Sequence, residues 1–211
     1  MNQTVSAKPL SSNLIVLCLA FISGFIIMAI ELLGGRILAP YFGSSIYVWG
    51  SIITVFMLSL SVGYLIGGRL SLRNPNLVRY GCFFAGAALL MLPLILWSIP
   101  IMETLFLAIE DPRYGSLIVS MLLFFLPTAV MGMIAPYSVR LLVIDSNRSG
   151  HIAGTLYFVS TLGSALGTLA TSFYLVLWFE VTQILVTMCL TLAAAAALAI
   201  ATGLRAARKN G

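Results

Sequence analysis

An all-α polytopic membrane protein with six transmembrane helices is the fold class this sequence predicts, and three observations predict it. Six stretches carry no charged residue: 9–30, 37–68, 80–102, 114–139, 152–179 and 181–204. Hydrophobic residues make up 61% of the 211 positions and charged residues 8%, whereas ordinary globular chains carry about 25% charged residues. Each uncharged stretch also reaches the roughly 20 residues that cross ~30 Å of hydrocarbon. A soluble domain is excluded. The helices are expected at about 12–35, 46–68, 78–100, 115–136, 152–178 and 182–204, as one domain over 1–211, because the connections are too short to fold by themselves.

The cations predict orientation. Lys8, Arg69, Arg73, Arg79, Arg140, Arg148, Arg205, Arg208 and Lys209 all fall on one side of such a bundle. The opposite side holds Arg113 among Glu103, Glu110 and Asp111, with Arg36 near the end of the first helix. The positive-inside rule then places both termini in the cytoplasm, in a bacterial inner membrane, with the bilayer as the first partner. Trp49, Trp97 and Trp178 are expected at outer helix ends, in an aromatic belt. The net charge of +5 reports topology; no basic stripe with interleaved aromatics suggests nucleic acid. The N-terminal apolar stretch is too long for a cleaved signal.

The first helix runs into Glu31. A carboxylate in hydrocarbon costs roughly 2.5–3.5 kcal/mol and persists where it has a partner or a task. Arg36 would point about 140° away on a straight helix. Gly34-Gly35 between them, and Pro40 beyond, are expected to bend the chain and end the helix. Two readings stay open: a structural ion pair, or Glu31 holding a cationic ligand with Arg36 as its partner when the site is empty. Gly63 and Gly67 in the second helix have the spacing of close helix packing, ahead of Arg69. Asp111-Pro112 reads as a turn into the fourth helix, where Pro127 and Pro136 are expected to bend it and Arg140 to mark the boundary. The fifth helix sets Ser160, Ser164, Gly167/Thr168 and Thr171 on one face, for tight packing or for lining a polar path. The sixth carries only Cys189 of note. Cys18, Cys82 and Cys189 have no metal-ligand spacing and read as buried apolar groups. No catalytic triad, HExxH, P-loop or GxGxxG appears, so neither cofactor nor metal is expected, and the chain is not expected to be an enzyme by itself.

Several stretches carry a resemblance. They are Arg36-Ile-Leu-Ala-Pro-Tyr-Phe-Gly-Ser-Ser, Val48-Trp49-Gly50-Ser-Ile-Ile, Gly63-Tyr64 with Gly67-Gly68, Met131-Gly132 with Pro136 and Arg140, and Gly154 through Tyr157, Ser160 and Gly163 to Thr168. The chain resembles the membrane half of the spermidine synthase-like membrane proteins, the fused transporter/spermidine synthase chains. The resemblance implies a membrane module that works with a soluble aminopropyltransferase-like domain binding decarboxylated S-adenosylmethionine and a polyamine. The sequence stops at Gly211 without that domain, so its glycine-rich loop and catalytic aspartate match no position here. What transfers is a set of membrane residues: Glu31, Arg36, Tyr41, Trp49, Tyr64, Arg140, Tyr157 and Ser160, with Ser164 from the polar face of the fifth helix. The layout is also similar to half of a major facilitator transporter.

Three functions are therefore weighed. The first is a module that binds or moves a small cationic, polyamine-like metabolite beside a separate aminopropyltransferase-like enzyme. The second is a half-transporter that pairs with a second copy of itself. The third is a membrane enzyme with Glu31 as general base, for which no second catalytic group is evident.

Overall fold

Apolar helices too long to fold back within a bilayer fix the architecture. The structure, a computed structural model, describes residues 10–143 and 149–210. Lys8 and Arg148, two of the cations that set the expected orientation, lie outside these residues. The described residues form helices and the turns between them, without a strand, and include six helices long and apolar enough to cross a membrane. The spans are α1 (Leu10–Phe42), α2 (Ile46–Ser71), α3 (Leu77–Ala108), a fourth built from α4 (Pro112–Gly132) and α5 (Ile134–Leu142), a fifth that starts as α6 (Ser149–Ala170), and a sixth. The fifth continues through a π-helical turn, Thr171–Leu175, into α7 (Val176–Trp178); the sixth is α8 (Val181–Asn210).

The first helix departs most from expectation. It does not bend or end at Gly34-Gly35 but runs seven residues beyond the expected end at 35, to Phe42, through Pro40. The two glycines are contact points: a Cβ on Gly34 would meet Phe124 and Ile52, and one on Gly35 would lie 2.6 Å from the Trp49 ring. The helix ends at Gly43, whose φ of 75° suits glycine and whose N–H donates to the Ala39 carbonyl at 2.9 Å. Only Gly43, Ser44 and Ser45 separate it from α2.

Helix α3 likewise runs through Pro93 and Pro100 to Ala108, so Trp97 lies well inside it and not at its end. In the fourth span the break falls at Met133, between Met131-Gly132 and Pro136. Pro136 has no N–H for the Gly132 carbonyl. The chain tightens there, with Met133 N–H donating to the Val130 carbonyl at 3.1 Å, while the Tyr137 N–H to Met133 bond stretches to 3.4 Å. At Pro127 the helix is not interrupted.

Side-chain caps define the turns. Asn76 accepts from the Arg79 N–H at 2.8 Å, Asp111 from the Arg113 N–H at 2.9 Å, and Gln183 from the Glu180 N–H at 3.2 Å.

Packing is pairwise. Helix α1 lies along α6, α2 along α4, and α3 against both α8 and α4. Without a hydrophobic force between helices in lipid, small residues that admit a neighbouring backbone decide which pairs form. Gly163 and Gly167 sit on the Phe21 and Phe25 carbonyls of α1, and Gly24 returns the contact on Ser160. Gly63 meets Ala129 and Gly132, and Gly67 meets Met133. Gly81 and Gly203 do the same between α3 and α8, where Ala195, Ala196 and Ala199 are buried. Helices α2 and α6 are not among the closely packed pairs; Tyr64 and Tyr157 bring them together only at a shared cavity.

Polar groups inside are satisfied locally, as a waterless interior requires. The Tyr80 and Ser138 hydroxyls pair at 2.7 Å with Tyr137 stacked alongside, and Ser51 pairs with Ser116 at 3.2 Å. The Ser120 and Thr171 hydroxyls are the buried ones that find no partner among the described residues.

Candidate functional site

Two glycine seams that close tightly on either side leave space between them. A cavity of about 210 Å³ lies where the α1/α6 pair faces the α2/α4/α5 group. Ala20, Ser23, Gly24, Ile27 and Met28 of α1 form one wall, and Tyr157, Ser160 and Ser164 of α6 the next. Leu60 and Tyr64 of α2, with Met131, Gly132, Ile134 and Ala135, complete it.

The polar groups here are neutral hydroxyls and backbone carbonyls. The Ser164 hydroxyl, at 3.2 Å from both, shares itself between the carbonyls of Gly24 and Ser160. The Thr168 hydroxyl returns to the Ser164 carbonyl at 3.0 Å. The side-chain hydroxyls of Ser23 and Ser160 make no hydrogen bond to another described residue. Tyr64 and Tyr157 face each other's helices across the open side, 48% and 55% exposed.

Glu31 extends this wall. On a helix, residues three, four and seven apart share a face. Glu31 follows Met28 by three, Ile27 by four and Gly24 by seven, so it continues the cavity-lining stripe one turn outward. Four residues further on, Gly35 lies under Trp49. The carboxylate is half-buried and makes no ion pair among the described residues. Arg36 is exposed on a continuous helix, so the bend expected to join it to Glu31 is absent.

Of the residues expected from the sequence, Tyr64, Tyr157, Ser160 and Ser164 meet in one cavity, with Glu31 on its stripe and Trp49 beyond. Three stand apart. Tyr41 donates to the Glu103 carboxylate at 3.2 Å and packs edge-on to Phe106 at the acidic end of the bundle. Arg36 is exposed nearby, and Arg140 is exposed in the last turn of α5 at the opposite end.

Ser23, Gly24, Met131 and Gly132 were not expected at the site. The Ser23-Gly24 pair in an otherwise apolar helix is the signal that could have found the α1 wall. Met131-Gly132 stood out only as a motif beside Pro136.

Such an arrangement can hold a small solute by hydroxyl and carbonyl oxygens, with one carboxylate for a positive group. It has no nucleophile paired with a base. Among the described residues no group of three His, Cys, Asp or Glu side chains could hold a metal ion. Comparison with known protein families, characterised proteins and solved structures finds no match.

Proposed function

We propose that this chain is a membrane-embedded binding module for a small cationic, polyamine-like metabolite. The observation that carries the proposal is a cavity inside the bundle with hydroxyls in its lining and, on the same helical stripe, a carboxylate that makes no ion pair among the described residues. Carbonyl and hydroxyl oxygens suit ammonium donors, Tyr64 and Tyr157 offer aromatic faces to a cation, and Glu31 supplies the countercharge. A carboxylate kept in hydrocarbon without an ion-pair partner among the described residues is suited to a cation that comes and goes.

The module would work with a separate aminopropyltransferase-like enzyme on its basic side, and the distribution of arginines supports reading that side as the cytoplasmic face of a bacterial inner membrane. Motion would follow from the packing. The α1/α6 seam and the α2/α4 seam are each stiff, and tilting one against the other would open the cavity to either face.

A second reading has its own observation. Tyr64 and Tyr157 at the edge of the cavity are both exposed, so a second copy of the chain could cover them and complete the cavity as a half-transporter homodimer.

Equilibrium binding of radiolabelled putrescine and spermidine to the purified protein tests the function. Saturable binding displaced by other diamines is the expected result; its absence, together with no flux into liposomes, would sink it. Mass spectrometry of the gently purified complex separates the readings. A stoichiometric soluble partner supports the first, and a dimer of this chain alone supports the second.

A further inference from the structure

At the basic end of the bundle the last turns of α2 present a different kind of surface. Ile66, Arg69 and Leu70, with Leu72 and Arg73 just past the helix, line a shallow cleft of about 480 Å³. Positions 66, 69 and 70 share one helical face, and Arg73 follows in the turn just beyond it. The cleft therefore interleaves two guanidinium groups with apolar side chains at the level where a transmembrane helix ends.

The connection that shapes it is fixed from beneath. Asn74 takes a left-handed turn with φ 45°. The Asn76 N–H donates to the hydroxyl of Tyr137, itself fully buried, at 3.1 Å. The Arg79 guanidinium donates to the Arg73 carbonyl, so that cation is committed to holding the loop. Arg69 and Arg73 make no ion pair among the described residues. The described carboxylates, Glu31, Glu103, Glu110, Asp111 and Glu180, lie in the far half of α1 or at the opposite end of the bundle.

We propose that this cleft binds the headgroup of an anionic phospholipid, with Arg69 and Arg73 on the phosphate and Ile66, Leu70 and Leu72 along the first segments of the acyl chains. Guanidinium forks match phosphate oxygens. The apolar residues between them have no use for a free phosphate ion but suit a diester whose chains enter the bilayer beside α2. Two cations against one phosphate favour a headgroup without a positive charge of its own, so phosphatidylglycerol is preferred to phosphatidylcholine.

The test uses the full chain in nanodiscs of equal parts phosphatidylglycerol and phosphatidylcholine, with native mass spectrometry of the lipids retained on release. Wild type is expected to retain phosphatidylglycerol about tenfold over phosphatidylcholine, as two interfacial arginines allow. Arg69→Gln/Arg73→Gln should bring the ratio close to that of the bulk lipid. Arg69→Lys/Arg73→Lys, which keeps the charge and so the fold, should fall between. Arg205→Gln/Arg208→Gln should leave the preference intact. Unchanged preference in the glutamine variant overturns the assignment. Displacement of the lipid by millimolar inorganic phosphate overturns it too, in favour of a free-anion site.

Discussion

Glu31→Ala is expected to abolish saturable cation binding while leaving the protein folded and monodisperse. Alanine removes the negative group on the cavity stripe without creating an overlap, because the side chain is half-buried and pairs with no described residue. A charge-assisted interaction contributes about 1.5–3 kcal/mol, so affinity should fall at least about tenfold. Glu31→Asp keeps the charge on a shorter stem and should retain most of the binding. Equal binding by wild type and both variants would remove the carboxylate from the mechanism. Arg36→Ala is the informative companion. With Arg36 exposed on an unbroken helix, its loss should leave binding within about twofold, whereas an Arg36-dependent site would lose binding as Glu31→Ala does.

The largest effects on stability are expected at the glycine seams. A Cβ on Gly163 would overlap the Phe21 carbonyl, and one on Gly63 the Ala129 carbonyl; backbone oxygens cannot swing aside as a flexible side chain would. Gly163→Ala and Gly63→Ala should each cost about 1–3 kcal/mol, seen as a lowered thermal midpoint in detergent, and the leucine variants should fail to give a folded particle. Gly154→Ala and Gly50→Ala serve as controls, because nothing lies within 4 Å of the added carbon. There the gain in helix propensity of roughly 0.5–1 kcal/mol should appear unopposed. Seam and control variants that behave alike would mean that backbone contact does not set the pairing.

The membrane architecture was legible because hydrocarbon imposes length and apolarity on every span, and both are written residue by residue. Boundaries were less so. Gly34-Gly35 reads locally as a weak point, yet what decides it is the arrival of Trp49 and Phe124 from other helices, which no local pattern encodes. Pro40, Pro93, Pro100 and Pro127 are held within helices, whereas Pro136, four residues after Gly132, follows a real break at Met133. The π turn at Thr171–Leu175 had no signal at all, because it lies within an ordinary apolar run. At the site, the polar stripe of the fifth span was visible from its spacing and carried Ser160 and Ser164 into the cavity. Its partner wall on α1 was hidden among apolar neighbours. The expected Glu31–Arg36 pairing rested on a bend, and without the bend the helical period separates the two.

That separation bears on the electrical character of the module. With no described cation beside it, an ionised Glu31 gives the empty site one negative charge, and a polyamine such as putrescine, doubly charged near neutral pH, would leave the occupied site positive. Membrane voltage acts on a displaced charge by about 2.3 kcal/mol per 100 mV for a full crossing, and by a fraction of that for a site moving part of the way. In a transport cycle an inside-negative potential would then draw the occupied site toward the negative face. The same potential would hold the empty site toward the positive side, so delivery and return would both draw on the cell's membrane potential.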